Sequence, residues 1–248
     1  MPAWYVAAFT HRGRVRSANE GALAVDGYVL TGDMTEPYIL APTKDICVLM
    51  IADGMGGHAG GAQASRVALD HLVANAGRLV DQATCAEAIQ NANDHLYGMM
   101  RSQPEVTGMG STLVGAILSS SRILAFNVGD SRLYLQTHDH LVQLSQDDVG
   151  DRGVDASGRR TSYAITQALG GSEFPVPVDP HVSVDPPLAP GETLLLCSDR
   201  LTDMLADNAT HDVLSGAADP NSAVRELAAR AFRAGAQDDL SLIVARLA

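Results

Sequence analysis

Short apolar runs that stop at a single acidic residue recur along this chain. Such runs, when they are rich in β-branched residues and bounded by glycine or polar turns, are typical of buried strands. In four places the run ends on a carboxylate or begins just after one: Asp53, Asp130, Asp199 and Asp238. The pattern therefore predicts several buried strands that each place an acidic side chain at one end.

The rest of the pattern predicts further strands and several helices. Strands are predicted over residues 4–9, 22–25, 48–52, 108–118, 122–128, 133–135, 192–199 and 240–245. Apolar residues at helical spacing predict helices over 58–77, 81–101 and 221–234, with another beginning at Leu201. Thr84 is the predicted N-cap of the second helix, and Glu87 would complete a capping box. Residues 26–45 are expected to form a hairpin or loop excursion, and 175–190 an extended segment.

The order of these elements favours an α+β fold in one domain. From Gly108 onward, short strands follow one another through tight turns, which is typical of antiparallel sheets rather than of βαβ alternation. Since no repeat, low-complexity tract or linker divides the sequence, one domain over 1–248 is expected. Residues 146–160 are polar and rich in aspartate and glycine, which predicts a mobile flap within a subregion of about 146–175.

Composition narrows the classes of function. The chain has 248 residues, 46% of them hydrophobic, and a formal net charge of −12. The hydrophobic content is typical of a globular protein, and the negative charge argues against binding of nucleic acid through its phosphates. No apolar stretch has the length of a membrane span, and the N-terminus lacks a basic region ahead of an apolar segment. We therefore expect a cytoplasmic protein with no membrane span and no nucleic-acid partner.

The three cysteines, Cys47, Cys85 and Cys197, are widely spaced and lie in apolar surroundings. Their number is odd, and their spacing is unlike that of a zinc site. We expect buried free thiols rather than a disulfide framework.

The stretch around Asp53 is the strongest candidate for chemistry. Gly54, Gly56 and Gly57 follow it, and glycine lets the backbone turn sharply and offer carbonyl oxygens to a ligand at close range. A carboxylate beside exposed carbonyls suits Mg²⁺ or Mn²⁺, because these cations prefer oxygen ligands. The alternative is a structural Asp-Gly turn, which is common in proteins.

Other charged side chains add to the metal interpretation. Any one of the four strand-end acids could be structural, but with Glu20 as a fifth they would form a cluster of carboxylates. Carboxylates that meet without partners repel each other and have raised pKa values, and bound divalent cations would remove that penalty. Arg16 could hold two phosphate oxygens with its guanidinium, or it could be a solvated surface charge.

Six short motifs occur in the order found in one enzyme family. They are Arg16-Ser17-Ala18-Asn19-Glu20, Ala52-Asp53-Gly54-Met55-Gly56-Gly57-His58, Gly110-Ser111-Thr112, Gly129-Asp130-Ser131-Arg132, Cys197-Ser198-Asp199 and Gly235-Ala236-Gln237-Asp238. Each motif alone is weak, but the ordered set spans almost the whole chain. On these motifs the sequence resembles the metal-dependent protein phosphatases, the PPM or type 2C serine/threonine phosphatases, and most closely their short bacterial members.

The resemblance implies a fold and a set of metal ligands. The fold would be an αββα sandwich, in which two packed antiparallel β-sheets are flanked by helices. The cofactors would be two Mn²⁺ or Mg²⁺ ions, with a third in bacterial members. Asp53 would bridge the first two ions. Asp199 and Asp238 would complete the first ion, and Glu20 with the backbone carbonyl of Gly54 would hold the second.

The resemblance also implies a reaction and its partners. A hydroxide bridging the two ions would attack the phosphorus of phosphoserine or phosphothreonine. Arg16 would bind the substrate phosphate, so Arg16 and Asp53 are the catalytic candidates, while Asp130 and Asp199 would hold the third ion. The partners would be phosphorylated proteins, including a cognate bacterial Ser/Thr kinase whose action this monomeric enzyme would oppose. For His58 we expect a role at the start of a helix or behind the ligands, rather than direct acid catalysis.

Several positions depart from the family pattern and motivate an alternative. They are His11, Gly21, Asp148-Val149, Arg200 and Asp239, where the family usually has Asp, Asp, His-Ser, Gly and Asn. The predicted ligands are all present, so we expect an active enzyme with a high requirement for Mn²⁺ or Mg²⁺. The alternative is a low-activity enzyme or a pseudophosphatase that binds phosphoproteins or a partner. A stress-response phosphatase acting on a partner-switching regulator is disfavoured by Arg16.

Overall fold

Two antiparallel sheets packed face to face form the centre of the structure, a computed structural model that describes residues 4–42, 45–55, 59–150 and 164–247. Helices cover the outer face of each sheet. The architecture is the αββα sandwich that the resemblance implied. The prediction of an α+β fold is confirmed.

The first sheet pairs the first and last strands of the described chain. Its strands are β1 (Trp4–His11), β4 (Tyr38–Leu40), β9 (Arg132–Gln136), β10 (Leu141–Gln143), β13 (Thr193–Cys197) and β14 (Leu240–Leu247). They lie in the order β10-β9-β13-β14-β1-β4. Strand β1 pairs with β14 along its whole length, from Trp4 opposite Leu247 to His11 opposite Leu240.

The second sheet is built around the apolar run that precedes Asp53. Its strands are β2 (Gly21–Val25), β3 (Tyr28–Thr31), β5 (Cys47–Met55), β6 (Gly110–Ser111), β7 (Leu113–Leu118), β8 (Ile123–Val128), β11 (Leu169–Gly170) and β12 (His181–Asp185). Strand β5 pairs with β2 on one side and with β6 and β7 on the other, and β7 continues through β8 to β12. The strand that carries Asp53 is therefore an interior strand of this sheet and not an edge strand.

The helices fall into two groups, one for each sheet. They are α1 (Ala59–Ala74), α2 (Gln82–Ser102), α3 (Asp199–Met204), α4 (Asp207–Gly216) and α5 (Pro220–Ala234). The first two pack on the second sheet, and the last three pack on the first sheet. None of the helices in the described part of the chain combines the length and the apolar character that a bilayer crossing requires.

Apolar side chains form three layers, which explains why the strands have continuous apolar sequences. In β5, Leu49 and Ile51 face the layer between the sheets, whereas Met50 and Ala52 face α1 and α2. Successive side chains of a strand point to opposite faces, and here both faces are covered. A strand buried on both faces needs apolar residues at every position, so period-two alternation is lost.

The start of α2 differs from the prediction. Asp81, not Thr84, is the N-cap, and its carboxylate accepts a hydrogen bond of 2.9 Å from the Thr84 backbone amide. The Thr84 hydroxyl in turn accepts a bond of 3.2 Å from the Asp81 amide, so the two residues form a reciprocal capping box. This capping box begins three residues earlier than predicted. Glu87 instead forms an ion pair with Arg78 at 3.1 Å.

Other element boundaries also differ from the predicted ones. The strand predicted over 108–118 is interrupted at Thr112, because that residue turns its amide to the Asp53 carbonyl. Asp199 opens α3 instead of closing a strand. Cys47, Cys85 and Cys197 are buried, as predicted, and burial raises the pKa of Cys85 and of Cys197 to about 12. The flap predicted over 146–160 falls largely on 151–163, outside the described residues.

Candidate metal centre

The topology brings the four strand-end acids to one rim of the sandwich. Strands β5 and β8 both pair antiparallel with β7 and so run in the same direction, which puts Asp53 and Asp130 at the same end of the strands of the second sheet. Asp199 follows β13 and Asp238 precedes β14, and these two antiparallel neighbours place both acids at one end of the strands of the first sheet. The Glu20 amide donates to Asp239, and the Glu20 carbonyl accepts from Gly54, so the two ends meet.

Burial and mutual repulsion disfavour the charged forms of three acids at this rim, Asp53, Asp130 and Asp199. Burial raises the pKa of Asp53 well above its ordinary value, and the carboxylates of Asp199, Asp239, Asp238 and Asp130 raise it further. Burial and the charge of Asp199 raise the pKa of Asp130 to about 7. Burial also raises the pKa of Asp199. A divalent cation bound among these oxygens would relieve the repulsion, as predicted for such a cluster.

Glu20 is held at the same rim by contacts from three elements. Its side chain is 4% exposed. Its backbone carbonyl accepts bonds from the Ser65 hydroxyl at 2.5 Å and the Gly54 amide at 3.2 Å, and its amide donates to Asp239 Oδ2 at 3.0 Å. A Cβ on Gly61 would come within 2.8 Å of the Glu20 carboxyl carbon. The helix α1 therefore approaches Glu20 closely only because glycine occupies that position.

The Gly110-Ser111-Thr112 motif fixes the backbone of Asp53. The Asp53 carbonyl accepts bonds from the Thr112 amide at 2.9 Å and the Ser111 hydroxyl at 3.0 Å. The Thr112 hydroxyl also lies 2.8 Å from the Ser131 hydroxyl, next to Asp130. The break between β6 and β7 thus ties Asp53 to the turn that carries a second acid.

Arg16 and Asp238 are paired with each other. Arg16 Nε donates to Asp238 Oδ1 at 2.5 Å and Nη2 donates to Oδ2 at 2.8 Å, while Nη1 lies 3.9 Å from Glu20 Oε2. Arg200 Nη2 donates to Asp238 Oδ2 at 3.3 Å. Burial acts to raise the pKa of Asp238, but the bonds from Arg16 and the Asp239 amide and the charge of Arg200 hold it below its usual range.

The carboxylate oxygens at the rim suit a divalent cation chemically. Asp238 is paired with Arg16 and Arg200 instead of being drawn towards the other acids. Within the described ranges, no group of three or more His, Cys, Asp or Glu side chains is drawn together closely enough to hold a metal ion as it stands. Asp238 faces Arg16, and the other acids repel each other. Carboxylate oxygens from several elements are nevertheless the ligands that a hard cation prefers, and a bound cation would offset the repulsion among them. The ligand roles predicted for these residues remain predictions.

Some of the residues that depart from the family pattern have close neighbours in the structure. A Cβ on Gly21 would come within 2.6 Å of the Ser241 hydroxyl, so the usual aspartate would not fit here without a shift. Asp239, which stands where the family usually has asparagine, accepts the hydrogen bond from the Glu20 amide. This contact spans 219 residues, so sequence spacing could not reveal it. His58 lies outside the described residues.

Asp148 braces the turn that carries Asp130, a role that the sequence did not reveal. Its Oδ2 accepts a bond of 2.8 Å from the Gly129 amide. Its Oδ1 lies 2.8 Å from His181 Nε2 and accepts a bond of 3.1 Å from the Gln167 side chain. The carboxylate therefore links the acidic rim to β12 and to the chain that follows the predicted flap.

The raised pKa of Asp130 predicts a pH dependence of stability. The value of about 7 lies above the ordinary value of about 4, so between these pH values the metal-free folded chain binds more protons than the unfolded chain. Stability must then fall as the pH rises. We expect Asp130 to account for a loss of about 1–3 kcal/mol in the free energy of unfolding between about pH 5 and about pH 8.

Urea unfolding of the metal-free protein across this pH range measures the effect. Asp130→Asn should remove the Asp130 share of the decline, since asparagine does not titrate. Parallel curves for the wild type and the variant would contradict the prediction, and comparing the two cancels the contributions of the histidines.

The fold and the rim together define an αββα sandwich with an oxygen-rich acidic site between its two sheets. The family profile of protein phosphatase 2C matches residues 33–240 of the chain. The serine/threonine phosphatase stp of Listeria welshimeri is 31% identical over 252 residues, covering 95% of this chain and 92% of the relative. The chain belongs to the protein phosphatase 2C family.

Solved structures agree with this assignment. The catalytic domain of the serine/threonine protein phosphatase PstP, crystallised with two manganese ions, matches with a TM-score of 0.75 and 28% identity, over 100% of this chain and 99% of that one. PppA of Pseudomonas aeruginosa, described as a key regulatory component of a type VI secretion system, matches with a TM-score of 0.72 and 26% identity, over 99% and 98% of the two chains. The αββα fold predicted from the motifs is thus shared with phosphatases of known structure.

Proposed function

We propose that the chain hydrolyses phosphoserine and phosphothreonine in proteins, using two Mn²⁺ or Mg²⁺ ions. The observation that carries the proposal is the convergence of carboxylates around Asp53, whose pKa is raised by burial and by the charges of Asp199, Asp239, Asp238 and Asp130. The family assignment supports catalysis over the pseudophosphatase alternative, since the relatives are named phosphatases and PstP binds two manganese ions. The residues that depart from the family pattern lie around the predicted ligands and replace none of them.

The ligand roles that we propose are those implied by the family resemblance, and the positions on the rim support them. We assign Asp53, which interacts with acids of both sheets, as the carboxylate shared by two ions. Asp199 and Asp238, from the first sheet, would complete one ion, and Glu20 with the Gly54 carbonyl would hold the other. When bound, the ions would supply a water of lowered pKa as the nucleophile and would neutralise the charge of the phosphate. Asp130 and Asp199 are assigned to a third, weaker position.

Arg16 is assigned to the substrate phosphate. Its guanidinium now spans both oxygens of Asp238, at 2.5 and 2.8 Å, and a phosphate presents a similar pair of acceptor oxygens. The Arg16 side chain is 43% exposed, so it has room to move from a carboxylate to a substrate. On this assignment Arg16 orients the phosphate and stabilises the charge on its oxygens during attack.

The biological setting is proposed by analogy with the relatives. We propose that the enzyme acts as a monomer in the cytoplasm and opposes a bacterial Ser/Thr kinase, with the kinase itself among its substrates. PppA, a key regulatory component of a type VI secretion system, is in keeping with such a setting.

Metal dependence tests the proposal. We expect phosphate release from a phosphothreonine peptide to fall to background after treatment with a chelator and to return when Mn²⁺ is added in excess, because the proposed nucleophile is a water activated by the metal. Hydrolysis that survives complete metal removal would contradict the mechanism. No hydrolysis at any Mn²⁺ concentration would instead favour the pseudophosphatase alternative.

A further inference from the structure

Arg200 is a largely buried cation placed among the proposed ligands. Its side chain is 17% exposed, and it follows Asp199 in the first turn of α3. Nη1 donates to Asp203 Oδ2 at 3.2 Å, and Nη2 donates to Asp238 Oδ2 at 3.3 Å. The buried Nε has no hydrogen-bond partner among the described residues. Two carboxylates therefore hold this guanidinium, and one of them is a proposed metal ligand.

The carboxylate of Asp238 already accepts four hydrogen bonds. Oδ1 accepts from Arg16 Nε and from the Asp239 amide at 2.9 Å, and Oδ2 accepts from Arg16 Nη2 and from Arg200 Nη2. A carboxylate has about four lone-pair sites, so a cation can reach Asp238 only if a donor leaves. The metal and the arginines therefore compete for the same oxygens.

The two arginines differ in their freedom to leave. Arg16 is 43% exposed and can turn towards solvent or substrate, whereas Arg200 is 17% exposed and anchored by Asp203 one turn further along α3. Arg200 would thus remain close to any cation held by Asp238, where it competes for a lone pair and repels positive charge. A tethered guanidinium in this position must weaken cation binding.

We infer that Arg200 is a built-in competitor that lowers the affinity of the rim for divalent metal. The inference rests on the proposed function, because it takes Asp238 to be a metal ligand. The inference gives Arg200, a positive charge beside a proposed metal ligand, a role that does not involve the substrate. The enzyme would accordingly respond to the metal concentration over a range set by Arg200.

Calorimetric titration of Mn²⁺ into the metal-free protein, without substrate, tests this directly. We expect Arg200→Ala and Arg200→Gln to bind Mn²⁺ about 3–10-fold more tightly than the wild type at one pH and ionic strength. Glutamine keeps most of the side-chain length and the capacity to hydrogen-bond Asp203, so it preserves packing if the alanine variant unfolds.

Arg78→Ala is the matched control. It changes the net charge by the same amount, but Arg78 is exposed, pairs with Glu87 and lies beyond the end of α1 that is remote from Glu20. Its affinity for Mn²⁺ should stay within about twofold of the wild type, because a distant exposed charge is screened. Equal or weaker binding by both Arg200 variants would overturn this inference alone. No Mn²⁺ binding by the wild type or the Arg200 variants would overturn the proposed metal centre and the inference together.

Discussion

Asp53→Asn should lower phosphate release by about 10³-fold or more, because a metal pair contributes several kcal/mol to the transition state and each 1.36 kcal/mol is tenfold in rate. Asparagine has nearly the same shape but offers one neutral oxygen, so it cannot be shared by two cations. The same change should raise the thermal midpoint of the metal-free protein. The pKa of Asp53 is raised by burial and by four neighbouring acids, so its charge destabilises the metal-free fold near neutral pH.

The opposite signs of these two effects separate a catalytic role from a structural one. Steady-state assays with Mn²⁺ and thermal unfolding without metal measure them. Asp70→Asn is a suitable control, since Asp70 pairs with Arg66 on the exposed face of α1 and its carboxylate is 50% exposed. A lower midpoint together with lost activity would mean that Asp53 supports the fold and would count against its assignment as the shared ligand.

Gly54→Ala should destabilise the protein by about 3 kcal/mol or more and abolish metal binding. The added Cβ would lie 2.3 Å from the Gly61 carbonyl oxygen, 2.4 Å from its carbon and 2.7 Å from the Glu20 carbonyl oxygen. All three atoms belong to the backbone, so β5 and α1 would have to separate. The thermal midpoint should fall by about 6–12 °C for a chain of this length.

Gly60→Ala provides the control on the same helix. There the nearest atom to the added Cβ is Met109 Cβ at 3.4 Å, an ordinary contact. Alanine also favours helix, so this variant should be neutral or more stable by about 0.5–1 kcal/mol. Equal stability of the two variants in urea unfolding would show that the approach of α1 to β5 is not close.

The fold could be predicted largely because its strands are buried on both faces. Continuous apolar runs such as 48–52 stand out in the sequence, and turns with glycine and acid mark their ends. Local hydrogen bonding was harder to predict. Asp81 and Thr84 both suit an N-cap, and the choice depends on which one is extended, with φ −142° and ψ 176° at Asp81. The helix predicted to begin at Leu201 is divided into α3 and α4, because Leu205 and Ala206 between them have extended backbone conformations.

The sequence indicated which acids lie at the rim but not how they pair, and their roles as metal ligands remain predictions. The acids could be found because each sits at a strand end and the motifs occur in family order. The ion pair between Arg16 and Asp238 joins residues 222 positions apart and depends on which side chain turns inward. The contacts of Arg200 and the brace at Asp148 depend in the same way on tertiary packing.

The pairing of β1 with β14 has a consequence for how the molecule is made. A ribosome releases Trp4–His11 long before Leu240–Leu247 exists, so β1 can pair early with β4 but must wait for β14. The second sheet, with α1 and α2, can assemble earlier, since its strands are drawn from Gly21–Asp185. Asp199 and Asp238 enter with β13 and β14, so the proposed metal centre cannot be complete before those strands have been made. Contacts this distant in sequence form slowly, which makes the closing of the first sheet the late step of folding.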